Sequence, residues 1–269
     1  MNRIYLSCDI EGVCGICHWN ETELGHAEHA AFARQMTREV AAACEGARLG
    51  GADDLLIKDA HDSARNLIPE ALPEGISLFR GWGKDADTML SGLDGSFAGC
   101  LFTGYHAAAG ADANPLSHTL DTRAARVRIN GAPASEMRIN AYTAASYDVP
   151  VLLVTGDEGV CREAKELLPS VFTVPVSRGV GAGSIALHPA DAARRIRQTA
   201  EQAVREGLAD PARFALELPS AFTVEVTYKN HPDARRAGFY PGARQQDAQT
   251  VVYHATAWLD VLRFFLFCL

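Results

Sequence analysis

The sequence predicts an α/β fold: a central mixed or mostly parallel sheet flanked by helices, with a second, smaller α+β lobe. Three observations carry this expectation. Short apolar runs alternate with longer stretches of helical period through most of residues 1–176. The runs have near-continuous apolar centres, as strands covered on both faces do. After about Val176 the texture changes to a Gly-rich connection, one long helix and strands of alternating pattern. The expected division is an α/β domain over 1–176 and a smaller C-terminal lobe over 177–269.

In chain order, IYLSCDI reads as the first strand. It is followed by AEHAAFARQMTREVAAACEGARLGG, an Ala-rich helix closed by a Gly pair. DDLLIKDAH, GISLFRG, FAGCLFTGYH, RVRING and VPVLLVTGD read as further strands. APASEMRINAYTAASYD and DEGVCREAKELLP read as helices, the second bounded by Pro169. SRGVGAGSIALH reads as a Gly-rich connection into PADAARRIRQTAEQAVREG, a helix with Pro189 in its first turn. FTVEVTYKN and TVVYHATAW alternate as strands do, and a final helix ends the chain.

Composition narrows the function. With 48% hydrophobic and 22% charged residues the chain is an ordinary globular one. A net charge of -8 offers no positive field for phosphate backbones, so no nucleic-acid partner is expected. Arg123, Arg126 and Arg128, and Arg194, Arg195 and Arg197, read as solvated faces. The N-terminal segment reads as a strand rather than a secretory signal. The apolar stretch WLDVLRFFLFCL is interrupted by Asp260 and Arg263, and falls short of the roughly 20 apolar residues of a membrane span. A soluble cytoplasmic protein is therefore expected, with no membrane partner. Seven scattered cysteines, an odd number, argue against a disulfide framework.

The expected chemistry sits at strand ends. The first strand ends in Asp9-Ile10-Glu11, the second in Asp59-Ala60-His61-Asp62, the fourth in Gly104-Tyr105-His106. Open α/β sheets bind ligands beyond the carboxyl ends of their strands. One residue of separation places Asp9 and Glu11 on one face. Oxygen and imidazole donors together suit zinc, and also manganese or cobalt; a bridging carboxylate lets such a set hold two ions. Asp59 and Asp62 flank His61, either as partners that orient its imidazole or as solvated strand-end acids.

A competing motif lies alongside. Cys14, Cys17 and His18 have the C-x-x-C-H spacing of haem attachment. The acids Asp9 and Glu11 disfavour a redox thiolate there. A zinc finger using His26 and His29 has both spacings too short. The cysteine pair is read as a small-residue turn. GVGAGS ends in Ser where a dinucleotide fingerprint needs Gly, GWGKD lacks phosphate-loop spacing, and neither G-x-S-x-G nor H-E-x-x-H occurs.

With those residues in view, the blocks SCDIEGVCGI, IKDAH, LFTGYHA, LSHT, INGAPASEMRINAY and YDVPVLLVTGD resemble the bacterial zinc D-aminopeptidases encoded with dipeptide-transport genes. They span most of residues 1 to 160 in that family's order. The resemblance implies metal ligands at Asp9, Glu11, His61, His106 and Glu136, and a catalytic histidine at His118. It also implies two zinc ions per subunit, hydrolysis of N-terminal D-amino acids from short peptides by metal-activated water, and a homo-oligomer, a ring-like decamer. An imidazole at His118 suits proton transfer or oxyanion stabilisation better than nucleophilic attack. The cysteine pair departs from the family pattern without touching a ligand. Beyond residue 180 the resemblance is looser and assigns no substrate contacts. The alternatives are a dinuclear amidase of other stereochemistry, such as an L-aminopeptidase or cell-wall peptide hydrolase, and a non-enzymatic, metal-stabilised peptide-binding assembly.

Overall fold

The structure, a computed structural model, describes residues 1–269. Its elements in order are β1 (Arg3–Cys8), α1 (His29–Leu49), β2 (Asp54–Asp59), β3 (Ser77–Phe79), β4 (Gly99–Tyr105), β5 (Ala124–Ile129), β6 (Ala132–Pro133), α2 (Glu136–Ser146) and β7 (Val151–Asp157). There follow α3 (Glu158–Leu167), β8 (Phe172–Val180), β9 (Gly183–Ala186), α4 (Pro189–Ala209), β10 (Phe222–Tyr228), α5 (His231–Ala237), β11 (Arg244–Gln245), β12 (Thr250–Ala255) and α6 (Trp258–Cys268).

Seven strands form one sheet in the order β3-β2-β1-β4-β7-β8-β9, parallel except for the β8–β9 hairpin. The chain steps from β1 outward to β2 and β3, then returns to β4 on the other side of β1. The carboxyl ends of β1 and β4 therefore flank a crevice where strand order reverses, the place where such sheets bind ligands. β4 is buried throughout, and so is β1 after Arg3. One sheet face packs on α1 and α4, through Leu6, Val40, Leu153 and Ile196; the other packs on α2 and α3, through Phe102, Met137, Val154 and Val160.

The second sheet is antiparallel, in the order β11-β12-β10-β5-β6. RVRING, expected beside the other strands, pairs here as β5 with β10 and β6. The physical reason is visible in its side chains: Val127 and Ile129 face inward while Arg126 and Arg128 alternate outward, a strand with one wet face. SRGVGAGSIALH, expected as a connection, is instead the β8–β9 turn and strand, with Val180 pairing to Gly183. Residue 176 lies within β8; the second sheet takes β5 and β6 from before it, and the first sheet keeps β8 and β9. The two sheets thus interleave along the chain.

Helix α2 is the shared layer. Met137 and Ala141 pack toward the parallel sheet while Ile139 and Tyr142 pack toward the antiparallel one. A helix buried on all sides cannot be amphipathic, and Glu136 to Ala144 are all buried. Ser135 caps it by accepting a hydrogen bond from the Arg138 amide. Its first turn points Glu136 at the crevice.

Candidate metal centre

Backbone packing brings the strand ends together. Gly104 stands at φ +70°, and a Cβ there would lie 2.2 Å from the Asp9 carbonyl oxygen. A Cβ on Gly12 would lie 1.8 Å from the Tyr105 oxygen. Only glycine permits either approach. The Asp9–Glu11 turn is thereby seated against the end of β4, which carries His106.

Six side chains meet in this crevice: Asp9 and Glu11 after β1, His61 after β2, His106 after β4, His118 from the loop before β5, and Glu136 at the start of α2. Asp9 lies between two histidines, with Oδ1 3.4 Å from His61 Nδ1 and Oδ2 3.5 Å from His106 Nε2. Glu11 Oε2 is 3.0 Å from His61 Nδ1, and Glu136 Oε2 is 3.4 Å from His106 Nε2. The donor atoms of Asp9, Glu11 and His61 all lie within 4.8 Å of one another, and so do those of Asp9, His106 and Glu136. These two triads share Asp9, so one carboxylate can serve two ions.

Each imidazole is fixed from behind. His61 Nε2 donates to the Thr22 carbonyl at 3.1 Å, His106 Nδ1 to that of Ala107 at 3.0 Å, and His118 Nδ1 to that of Leu116 at 2.9 Å. A carbonyl only accepts, so in the neutral rings the lone pair faces the carboxylates. Acceptor facing acceptor repels unless a cation lies between. Asp9 Oδ2, both Glu11 oxygens and His106 Nε2 are buried with no hydrogen-bond partner. Such orphaned groups call for an explanation, and divalent ions supply one.

Electrostatics agree. Burial and the neighbouring Glu11 push the Asp9 carboxyl well up. Burial would lower His61, but Glu11 and Asp9 outweigh it and hold the ring well above its usual range; Glu136 and Glu11 do the same for His106. Glu136 is drawn down to about 2 by His106 and His118 against the opposing effect of burial. The carboxylates that favour positive charge on the His61 and His106 rings would equally favour a cation bound between them.

His118 differs. Burial, then the adjacent His106, lowers it below its usual range. Its ring stacks on His106 at 4.3 Å between centroids, and Trp19 meets it edge-on at 5.2 Å. Nε2 points between Glu136 Oε1 at 3.5 Å and Glu11 Oε1 at 3.8 Å. Glu136 Oε1 is itself held by the Leu120 amide at 2.8 Å.

Of the two readings of Asp59 and Asp62, orientation of the His61 ring is not what is seen, because the Thr22 carbonyl holds that ring. Asp59 instead accepts from the Asn66 amide, its side chain and the Leu67 amide, while Asn66 also donates to the His61 carbonyl. It shapes the loop behind His61. Asp62 is exposed, and its carbonyl accepts from Trp82 Nε1 at 2.6 Å.

Two supporting residues escaped the sequence reading. Asp157, at the end of β7, accepts from the Ala107 amide at 2.8 Å, and from Asn114, which also donates to the Glu11 carbonyl. The strand-end rule that found His61 and His106 would have found Asp157 too.

The CGICH turn is occupied by ordinary structure. The buried Cys14 thiol donates to the Leu187 carbonyl at 3.0 Å, and burial pushes it up to about 12. The Cys17 amide donates to Glu21, and His18 accepts from the Asn20 amide. All seven cysteines are free thiols.

The centre opens into a cleft of about 540 Å³. Its far wall comes from α6 and the residue after it, through Leu262, Phe265, Leu266 and Leu269. No helix is long and apolar enough to cross a membrane.

Comparison with known proteins now decides the family. The M55 peptidase profile, described as D-aminopeptidase, matches residues 2–267. The chain belongs to the M55 D-aminopeptidase family. A D-aminopeptidase of Bacillus subtilis (strain 168) is 31% identical over 251 residues, 93% of this chain and 90% of that one. The solved structure of the Zn-dependent D-aminopeptidase DppA from Bacillus subtilis, a self-compartmentalizing protease, superposes with a TM-score of 0.88. It is 28% identical, over 99% of this chain and 96% of that chain. The M55 match crosses the whole chain, so the antiparallel sheet and α6 belong to the family fold as much as the strand ends do.

Proposed function

We propose that this M55 peptidase is a zinc-dependent aminopeptidase that removes N-terminal D-amino acids from short peptides. Asp9, Glu11, His61, His106 and Glu136 would hold two zinc ions per subunit, Asp9 being common to both sets of donors. The observation that carries this reading is the pair of donor triads sharing Asp9, with buried acceptor atoms that have no partner. We propose further that the enzyme is cytoplasmic and works as a homo-oligomer, a decamer. Support for the assembly is the self-compartmentalizing character of the Bacillus subtilis relative.

When bound, the ions supply a Lewis acid for the scissile carbonyl and lower the pKa of the attacking water towards about 7. The chain's own residues supply the rest. Glu11 and Glu136 hold opposite sides of the centre and leave a gap that His118 Nε2 faces. A neutral His118 can take a proton from the attacking water and return it to the departing amine. Its backbone bond through Nδ1 keeps Nε2 as the working nitrogen. The side chains of Phe265 and Leu262 give the cleft an apolar wall, beside which charge interactions are stronger than in open water.

Metal analysis of the purified protein, paired with D-Ala and L-Ala p-nitroanilides, tests the reading. Two zinc ions per chain and preferential release from the D substrate are expected. A fully demetallated sample cleaving at undiminished rate would overturn it, and preference for the L substrate would overturn the stereochemical assignment.

A further inference from the structure

The cleft beyond the metal centre is acidic with one exception. Glu23, Asp62, Asp85 and Asp121 line it, and Lys84 is its one permanent cation. Three of those acids are engaged: Glu23 with His26 at 3.2 Å, Asp85 with the Ser91 hydroxyl at 2.9 Å, and Asp121 with Arg123 at 2.8 Å. The exposed Lys84 ammonium has neither an ion pair nor a hydrogen bond.

Its backbone is unusual as well. Lys84 stands at φ 60°, in the left-handed region that non-glycine residues rarely occupy, and Thr88 follows at φ 47°. Surrounding structure must hold such a residue in place, and here it does. The fully buried Lys58 donates to the Gly81 carbonyl at 2.8 Å and lies 4.3 Å from the Trp82 ring centroid. Trp82 is tied to the Asp62 carbonyl, and Asp85 to the amide of Asp87 at 3.1 Å. A braced turn therefore presents an unpaired cation to an otherwise acidic cleft.

A peptide cut by an aminopeptidase brings two charges. Its ammonium can meet the cleft's acids; away from the metal centre, Lys84 is the one permanent cation that its free carboxylate can meet. We infer that Lys84 receives the α-carboxylate of the substrate, so that the enzyme selects short peptides ending within the cleft over amides, and disfavours acidic side chains. The inference rests on the aminopeptidase reading above. A lysine, a point charge on a flexible stem, can meet the carboxylate of a dipeptide or a slightly longer peptide.

The test uses the zinc-loaded, full-length enzyme with a D-alanyl dipeptide and the carboxamide of the same dipeptide. Lys84→Met is expected to raise KM for the free acid about fivefold, the upper end for an exposed charge pair. It should leave kcat, and KM for the carboxamide, within about twofold, and Lys84→Arg should retain most of the preference. Equal changes for both substrates, or no change for either, would overturn the assignment. If the wild-type enzyme cleaves neither, the aminopeptidase reading fails separately. Calorimetric binding of the same two ligands then decides Lys84: a carboxylate preference lost in Lys84→Met upholds it, and no preference in the wild type refutes it.

Discussion

Two stretches near the N-terminus are equally dense in metal-binding side chains, and they behave oppositely. The acids Asp9 and Glu11 converge with residues from four other segments and leave buried acceptor atoms without partners. In Cys14, Cys17 and His18, a few residues later, the Cys14 amide and thiol are engaged by Glu39 and Leu187, and the Cys17 amide and the imidazole by the turn itself. The difference teaches that ligand density in sequence does not mark a site. Unsatisfied donor atoms brought together by the fold do.

The sharpest way to break that comparison is Asp9→Asn. Asn offers one carbonyl oxygen and a donor amide where two acceptor oxygens face His61 and His106. Zinc content measured by atomic absorption should fall for both ions together. Activity should drop by more than the roughly 10–100-fold typical of changes behind the ligands. Loss of one ion with the other retained would contradict a shared carboxylate.

His118→Ala should come next in size. If the imidazole moves a proton, turnover falls by about 10²–10⁴-fold while zinc content stays at the wild-type level. Trapping an acyl group on His118 by mass spectrometry would replace proton transfer with nucleophilic attack.

How much of this was legible in the sequence follows from where each group sits. Asp9, His61 and His106 were readable because parallel strands deliver their carboxyl ends to one edge. Glu136 comes from a helix start and His118 from a loop, and no periodicity points to either; only resemblance to the family singled them out. The Thr22 carbonyl that orients His61 is a backbone group any residue could supply, so no side-chain pattern encodes it. The α6 wall lies more than a hundred positions from the proposed ligands and reads only as an apolar final helix. RVRING reads as another strand, but its alternation was the clue that it belongs to a sheet with one wet face.

The cysteine turn yields smaller effects. Beneath it lies Glu39, fully buried, with Oε1 accepting from the Cys14 amide and from Gln35 while Oε2 has no partner. Burial pushes its carboxyl up to about 7 from an ordinary value of 4.5. Between those values the folded chain holds a proton that the unfolded chain has lost, so stability falls as pH rises from about 4.5 through about 7. The loss above that window amounts to about 3 kcal/mol, as an upper figure. Glu39→Gln keeps the acceptor oxygen and removes the titration. Urea melts at pH 5 and pH 8 should differ less for the variant than for the wild type, and an unchanged difference would clear Glu39 of this role.

The smallest effect is expected from Cys14→Ser with Cys17→Ser. A serine hydroxyl can still donate to the Leu187 carbonyl, so position 14 keeps its hydrogen bond and loses only sulfur packing. Position 17 is half-buried, and its structural role lies in its amide. Stability should fall by about 1 kcal/mol, with zinc content and turnover within about twofold of wild type. A thiol-dependent enzyme would instead lose activity outright. That result would move the chemistry from the strand ends to the turn, and would reverse the inference drawn from which of the two stretches leaves its donors unsatisfied.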